Sequence, residues 1–258
     1  MKKVQYFVKK YLENRPAFLA MIRSQEAILF QKGQQFFQQP VLDFGCGDGF
    51  FAGLVFGKNK IAVGLDIANS RIKEAKKERT YKKIVTYDGK KIPYKNNYFQ
   101  TVISNCVFEH LPNLNLSLQE IFRVLKPEGY LITTVMTDNW NKYLFGKKIF
   151  GQWYVDFMRK QQQHTNLLSE KQWINKFKKN NYKIIKKNGY LDNNQAQKLD
   201  LWHYLSLPSL LTYKLLGQWI IFPRFTKQIY STKITKIVLS KPRSKQNCAL
   251  FFVLQKKG

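Results

Sequence analysis

Apolar residues first recur at helical spacing. Phe18, Met21, Ile22, Ile28 and Leu29 share one face behind the turn at Asn14-Arg15-Pro16, which predicts a helix over 17–38 that Gly33 loosens near its end. The period then changes. Pro40 to Phe44 reads as a short buried strand, followed by a glycine loop and a helix over 50–57. Strands are predicted at 61–66, 83–87, 99–105 and 129–136, and helices at 70–79 and 115–126. The last of these helices carries Leu118, Ile121, Phe122 and Leu125 on one face. Strands alternating with helices at this rhythm imply a doubly wound, mostly parallel α/β sheet. Right-handed crossovers then bring the C-terminal ends of the strands to one edge, where such sheets bind ligands.

Beyond Met136 the pattern loosens. Ser169 and Gln172 are spaced as a capping box for a helix bearing Trp173, Ile174 and Phe177. A sixth strand is expected at 182–186 and a seventh at 247–255. Between them lies an aromatic, basic insertion at about 190–245, far longer than an ordinary loop. The expected organisation is an N-terminal helical segment 1–38, a core 39–137, and a region 138–258 that completes a seven-stranded sheet.

An apolar fraction of 44% is ample for a packed core. Met1-Lys2-Lys3 opens like a signal peptide, but Lys9 and Lys10 interrupt the apolar run, and no window offers the ~18 apolar residues of a membrane span. Cys46, Cys106 and Cys248 form no CxxC pair, and with His110, His164 and His203 they give no metal-ligand spacing, so no metal site is expected. This cysteine usage fits a reducing cytoplasm. The net charge of +28 has two readings: an anionic partner, or coding bias, since 36 lysines stand against 8 arginines and arginine dominates specific phosphate forks.

Val41-Leu42-Asp43-Phe44-Gly45-Cys46-Gly47-Asp48-Gly49 carries the strongest chemical signal. A strand ends, three alternating glycines follow, and a helix starts. Glycine lets backbone approach a ligand closely, and a helix N-terminus offers free N–H groups to an anion such as a carboxylate. A dinucleotide fingerprint would need glycine at position 50, where Phe50 stands. Asp66 ends the second strand, placed to accept both ribose hydroxyls of an adenosine. Asp88 ends the third, placed to accept from an adenine amino group or to form an Asp-Gly turn with Gly89. Ser104-Asn105-Cys106-Val107 follows the fourth strand at the rim of the same edge.

Four separated motifs resemble the type 11 group of class I S-adenosylmethionine-dependent methyltransferases, with its Rossmann-like fold. They are Leu42-Asp43-Phe44-Gly45-Cys46-Gly47-Asp48-Gly49, Gly64-Leu65-Asp66, Asp88 with Ile92-Pro93-Tyr94, and Glu109-His110-Leu111 followed by Arg123-Val124-Leu125-Lys126-Pro127-Glu128-Gly129. The match covers about residues 39–137, and its one departure is Glu128, where the group usually has glycine. The resemblance implies S-adenosylmethionine as cofactor, bound by Asp43, Gly45, Cys46, Gly47, Gly49, Asp66, Ile67, Asp88, Gly89, Asn105 and Cys106. In it Asp43 orients the cofactor, the glycines cradle the methionine part, Asp66 takes the ribose and Asp88 the adenine.

Methyl transfer to a hydroxyl also requires removal of a proton, and His110, just past the fourth strand, is the candidate general base, with His164 as the second. The competing reading of His110 is packing or turn capping. The fourth-strand motif lacks the Asn/Asp-Pro-Pro-aromatic run of adenine N6 enzymes. Cys106 lacks the proline and basic neighbours of a nucleophile, so a buried, inert thiol is expected. The favoured acceptor is therefore an oxygen of a small molecule or of a glycan- or lipid-linked substrate. Around the insertion, Pro208 opens a helix that must stop before Pro223, flanked by Lys214, Arg224, Lys227, Lys233, Lys236, Lys241 and Arg243. Two readings of it stand: a substrate-side core helix, or a basic surface resting on the inner face of an anionic membrane through Trp202, Leu211 and Trp219. The alternative from another class is a non-catalytic module binding RNA or membrane, with an RNA methyltransferase as a further variant.

Overall fold

In the computed structural model, which describes residues 1–58, 60–68, 71–240 and 246–258, every strand expected from the sequence is present. In chain order the elements are α1 (Lys2–Asn14), α2 (Ala17–Lys32), β1 (Val41–Phe44), α3 (Phe50–Phe56) and β2 (Ile61–Ile67). They continue with α4 (Ile72–Glu78), β3 (Tyr81–Tyr87), β4 (Phe99–Asn105), α5 (Leu114–Val124) and β5 (Leu125–Met136). After these come α6 (Asn139–Tyr143), α7 (Lys147–Gln161), α8 (Glu170–Lys179) and β6 (Tyr182–Asp192). The chain ends with α9 (Asn193–Leu205), α10 (Leu207–Leu216), α11 (Pro223–Leu239) and β7 (Asn247–Lys256). Short 3₁₀ turns occupy Gln34–Phe36 and Phe108–His110.

The chain divides into two compact units. One comprises residues 30–137, 163–188 and 250–258 and carries the sheet. The strand order is β3-β2-β1-β4-β5-β7-β6, with β1 parallel to both β2 and β4, β2 to β3, and β4 to β5. All four residues of β1 are buried, as a strand covered on both faces requires. The order reverses between β1 and β4, so the crevice beyond their C-terminal ends is the topological switch point where doubly wound sheets bind ligands. Leu42, Val102, Leu131, Phe177 and Phe252 belong to one continuous core. The capping box is formed: Ser169 Oγ accepts from Gln172 N at 3.3 Å and Gln172 Oε1 from Ser169 N at 2.8 Å.

The other unit comprises residues 1–29, 138–162 and 189–249 and is built of helices. Here α1, which the sequence reading left unassigned, buries Val4, Phe7, Val8, Tyr11 and Leu12 and is tied to α11 by Lys227 Nζ on Glu13 at 2.7 Å. The buried Glu26 carboxylate is held by Arg23 at 2.6 Å and by the Tyr190 hydroxyl at 2.9 Å. Asp200, also buried, accepts from Tyr154 Oη at 2.6 Å and Gly146 N at 3.0 Å.

Several boundaries are corrected. The helix expected over 17–38 stops at Lys32, where Gly33 opens the 3₁₀ turn. The expected helix 70–79 is observed from Ile72, and Ser70 lies outside the described residues. The described residues of the insertion at about 190–245 form three helices, and the helix opened at Pro208 ends at Leu216, well before Pro223, because Gly217 takes a left-handed φ of +68°. Lys241 and Arg243 lie outside the described residues.

Candidate functional site

β1 and β2 end side by side, with Phe44 opposite Leu65, and the glycine loop turns over the gap between them. Gly45 and Cys46 donate to Leu65 O at 2.8 and 3.1 Å. Gly47 N donates to Asp66 Oδ2 at 2.7 Å, while Asp66 Oδ1 takes Ile67 N at 2.8 Å. Asp66 thus braces the loop, and a carboxylate with about four acceptor positions can still take ribose hydroxyls.

Gly45, Gly47 and Gly49 all hold positive φ, but they face different surroundings. A Cβ on Gly45 would come within 2.4 Å of Val107, and one on Gly49 within 3.0 Å of Tyr81, so both are packed from inside the protein. One on Gly47 would meet nothing within 4 Å. Gly47 therefore opens backbone onto free space at the strand edge, the cradle a ligand would fill.

Asp43 is buried beneath this loop, and Tyr81 Oη donates to its Oδ2 at 2.6 Å. Burial pushes the Asp43 carboxyl up to about 7, the tyrosine hydrogen bond opposes that shift, and the nearby Asp66 charge adds to it. Tyr81 was not legible as a site residue, since a tyrosine at a strand start has many ordinary uses. Arg71, also missed, pairs with Asp48 at 2.9 Å, and Asp48 Oδ1 accepts from Phe50 N at the start of α3.

Across the switch point, Asn105 and Cys106 are fixed by Thr134 on β5. Thr134 Oγ1 donates to Asn105 Oδ1 at 2.6 Å, and Cys106 N donates to Thr134 Oγ1 at 3.0 Å. Cys106 holds a φ of +51° and is buried, as is Cys46, whose thiol is pushed up by burial and by Asp43 and Asp66. Ile67, 47% exposed, stands at the end of β2, with its Cγ2 3.9 Å from where a Gly89 Cβ would be. Asp88 forms the turn alternative: its Oδ1 accepts from Lys90 N at 2.8 Å and Lys91 N at 3.1 Å, which hold its carboxyl below the usual range.

His110 closes the 3₁₀ turn after β4, exposed, with Nδ1 3.3 Å from Gln163 O. Its ring lies 5.0 Å from that of His164, centroid to centroid, at 35°. The structure thus brings together two histidines that lie far apart in sequence. Among the described residues no group of three or more His, Cys, Asp or Glu side chains is arranged to hold a metal.

Residues 42–133 match a family described as a methyltransferase domain. Over 102 residues the chain is 30% identical to a malonyl-[acyl-carrier protein] O-methyltransferase of Legionella pneumophila, covering 37% of this chain and 36% of that one. Over 148 residues it is 25% identical to a ubiquinone biosynthesis O-methyltransferase of Bartonella quintana, covering 54% of this chain and 59% of that one. The chain therefore spans about one third to three fifths of the length of these relatives. A solved S-adenosylmethionine-dependent methyltransferase of Thermotoga maritima is similar in fold, with a TM-score of 0.55, 13% identity and 99% coverage of both chains.

Proposed function

We propose, from the premise that residues 42–133 form a methyltransferase domain within a class I methyltransferase fold, that this chain transfers a methyl group from S-adenosylmethionine to an acceptor oxygen. The observation that carries the reading is the open backbone at Gly47, bordered by the Asp66 carboxylate and lying over buried Asp43. Gly45, Cys46, Gly47 and Gly49 would hold the methionine part, Asp43 its ammonium, and Asp66 the ribose. Ile67 would lie against the adenine, with Asp88 and Gly89 shaping the turn beside it and Asn105 and Cys106 lining the opposite wall.

When bound, the cofactor supplies an electrophilic methyl group on a sulfonium. The chain's own task is then alignment of the acceptor and removal of its proton. His110 would take the second task. A carbonyl oxygen can only accept, so the contact with Gln163 O favours the tautomer with its proton on Nδ1, in which Nε2 is the basic nitrogen. An oxygen acceptor is supported by the names of the two relatives, both O-methyltransferases. A glycan- or lipid-linked acceptor at an anionic membrane is supported by the +28 charge.

Calorimetry with S-adenosylmethionine, S-adenosylhomocysteine and NAD tests the cofactor. Saturable binding of the first two is expected, and binding of NAD alone would overturn the reading. Incubation with labelled cofactor and cell extract then identifies the acceptor, with methylated RNA the outcome that rejects a small or lipid-linked one.

A further inference from the structure

α10 is ten residues long and buries none of them. Leu207, Leu210, Leu211, Leu215 and Leu216 are all 40% or more exposed, and Leu215 reaches 72%. Past Gly217, Ile221 and Phe222 are exposed as well, at 42% and 70%. α7 of the same unit repeats the arrangement. Its Tyr154, Val155 and Met158 are buried, while Phe150, Trp153 and Phe157 are 57%, 67% and 45% exposed. Gly151 breaks the helix with a φ of +63°, and in the regular stretch behind it Trp153 and Phe157 stack at 5.6 Å, one turn apart. Clusters of exposed large apolar side chains such as these mark interaction surfaces, since soluble proteins rarely leave them without a partner.

Charge selects the partner. Residues 201–258 contain ten lysines and arginines and no aspartate or glutamate. Lys147 and Lys148 open α7 and Arg159 and Lys160 close it, and its one acid, Asp156, accepts from Gln152 at 2.9 Å. A second copy of this chain would bring +28 against +28. An anionic bilayer offers apolar depth to the leucine and aromatic side chains and negative headgroups to the cations around them. Penetration must be shallow: α10 would extend about 15 Å, half of a bilayer's ~30 Å hydrocarbon core, and no described helix is long and apolar enough to cross a membrane.

We infer that α10 with the turn at Phe222, and the Trp153–Phe157 face of α7, are the segments that insert into the headgroup region of an anionic membrane. This rests on the peripheral-membrane reading and corrects its residues. Trp202 is buried at 5% against Tyr230, and Trp219 stacks on Tyr213 at 4.0 Å, so of the three side chains expected to insert only Leu211 is free to do so.

The test is co-sedimentation with phosphatidylcholine vesicles, with and without about one third phosphatidylserine, at low and physiological salt. The native chain should pellet with the anionic vesicles and be partly released by salt. The variants W153S/F157S and L211S/L215S should each lower binding about tenfold or more, with melting temperature and cofactor binding unchanged because these side chains are exposed. Brominated lipid should quench the native fluorescence, and W153F should lose part of that quenching. If the native chain ignores anionic vesicles, the peripheral reading itself falls. If it binds and both variants bind equally well, these segments are not the anchor. A lipid-free dimer that both variants dissolve would overturn the inference in favour of self-association.

Discussion

Tyr81 donates a 2.6 Å hydrogen bond to Asp43 across 38 residues of sequence, beneath a glycine loop that leaves Gly47 open. The bond opposes the burial that raises the Asp43 carboxyl from an ordinary 3.8 to about 7. A carboxyl raised in the folded state holds its proton longer there than in the unfolded chain. Its contribution to stability is full below about 4 and is lost as pH rises towards about 7. The ammonium of a bound cofactor favours the ionised carboxylate, so binding below pH 7 should release a proton. Affinity should rise by up to tenfold per pH unit between about 5 and 7 and then level off. Calorimetry at pH 6 in buffers of different ionisation enthalpy measures this directly, and identical heats would show that Asp43 is not linked to binding. Tyr81→Phe should move the rise to higher pH.

The three loop glycines should respond differently to alanine. Gly47→Ala puts a methyl group into open space, so the fold loses only about 1–2 kcal/mol for its left-handed φ while cofactor binding falls steeply. Gly45→Ala drives a Cβ into Val107 and should destabilise more. Val107→Ala should restore part of that loss, and thermal melts of the single and double variants measure the coupling. If Gly47→Ala binds the cofactor as the native chain does, the open space is not the cofactor's.

Most of the sheet was legible in the sequence because parallel strands buried on both faces tend to read as apolar runs, as Ile61 to Leu65 does. The start of β3 was missed: Tyr81 is buried but is followed by exposed Lys82 and Lys83, which break the period-2 pattern of a strand. α1 was missed because its lysines break the apolar run while its buried face keeps helical spacing. Within the site, glycines and carboxylates announce themselves by type and spacing. Tyr81, Arg71 and Thr134 do not, because their roles depend on partners on other strands or loops. The pairing of His110 with His164 had no local signal either, since 53 residues separate His110 from Gln163, the carbonyl that orients it.

Glu128 gives a prediction about stability alone. It holds a φ of +61°, a left-handed conformation that glycine adopts without steric cost. It sits near the start of β5, at the opposite end of that strand from Thr134. Glu128→Gly should therefore stabilise the fold by about 1 kcal/mol, a rise of roughly 2–4 °C in Tm, with cofactor affinity unchanged. An unchanged or lower Tm would mean that the strain is offset by contacts of the Glu128 side chain.

The proposed role of His110 as the base that takes the acceptor's proton can be tested against packing. Gln163 O fixes Nδ1 of His110 as the donor, and the buried His164 ring, 5.0 Å away, limits how that imidazole can turn. A positioned base typically contributes 10²–10⁴-fold to rate. With a hydroxyl acceptor, His110→Ala should lower kcat by about that factor while cofactor affinity stays the same. The acid-side fall of the native pH–rate profile should vanish with it, because that fall reports protonation of the base. His164→Ala removes a neighbour rather than the base. It should lower kcat by a smaller factor and keep the acid-side fall. An acceptor that is already an anion needs no base, so for a carboxylate both substitutions should leave kcat almost unchanged. Comparing the two variants on one identified acceptor therefore separates catalysis from packing. A loss confined to KM in His110→Ala, with kcat and the pH profile intact, would assign His110 to packing against the acceptor and remove it from the chemistry.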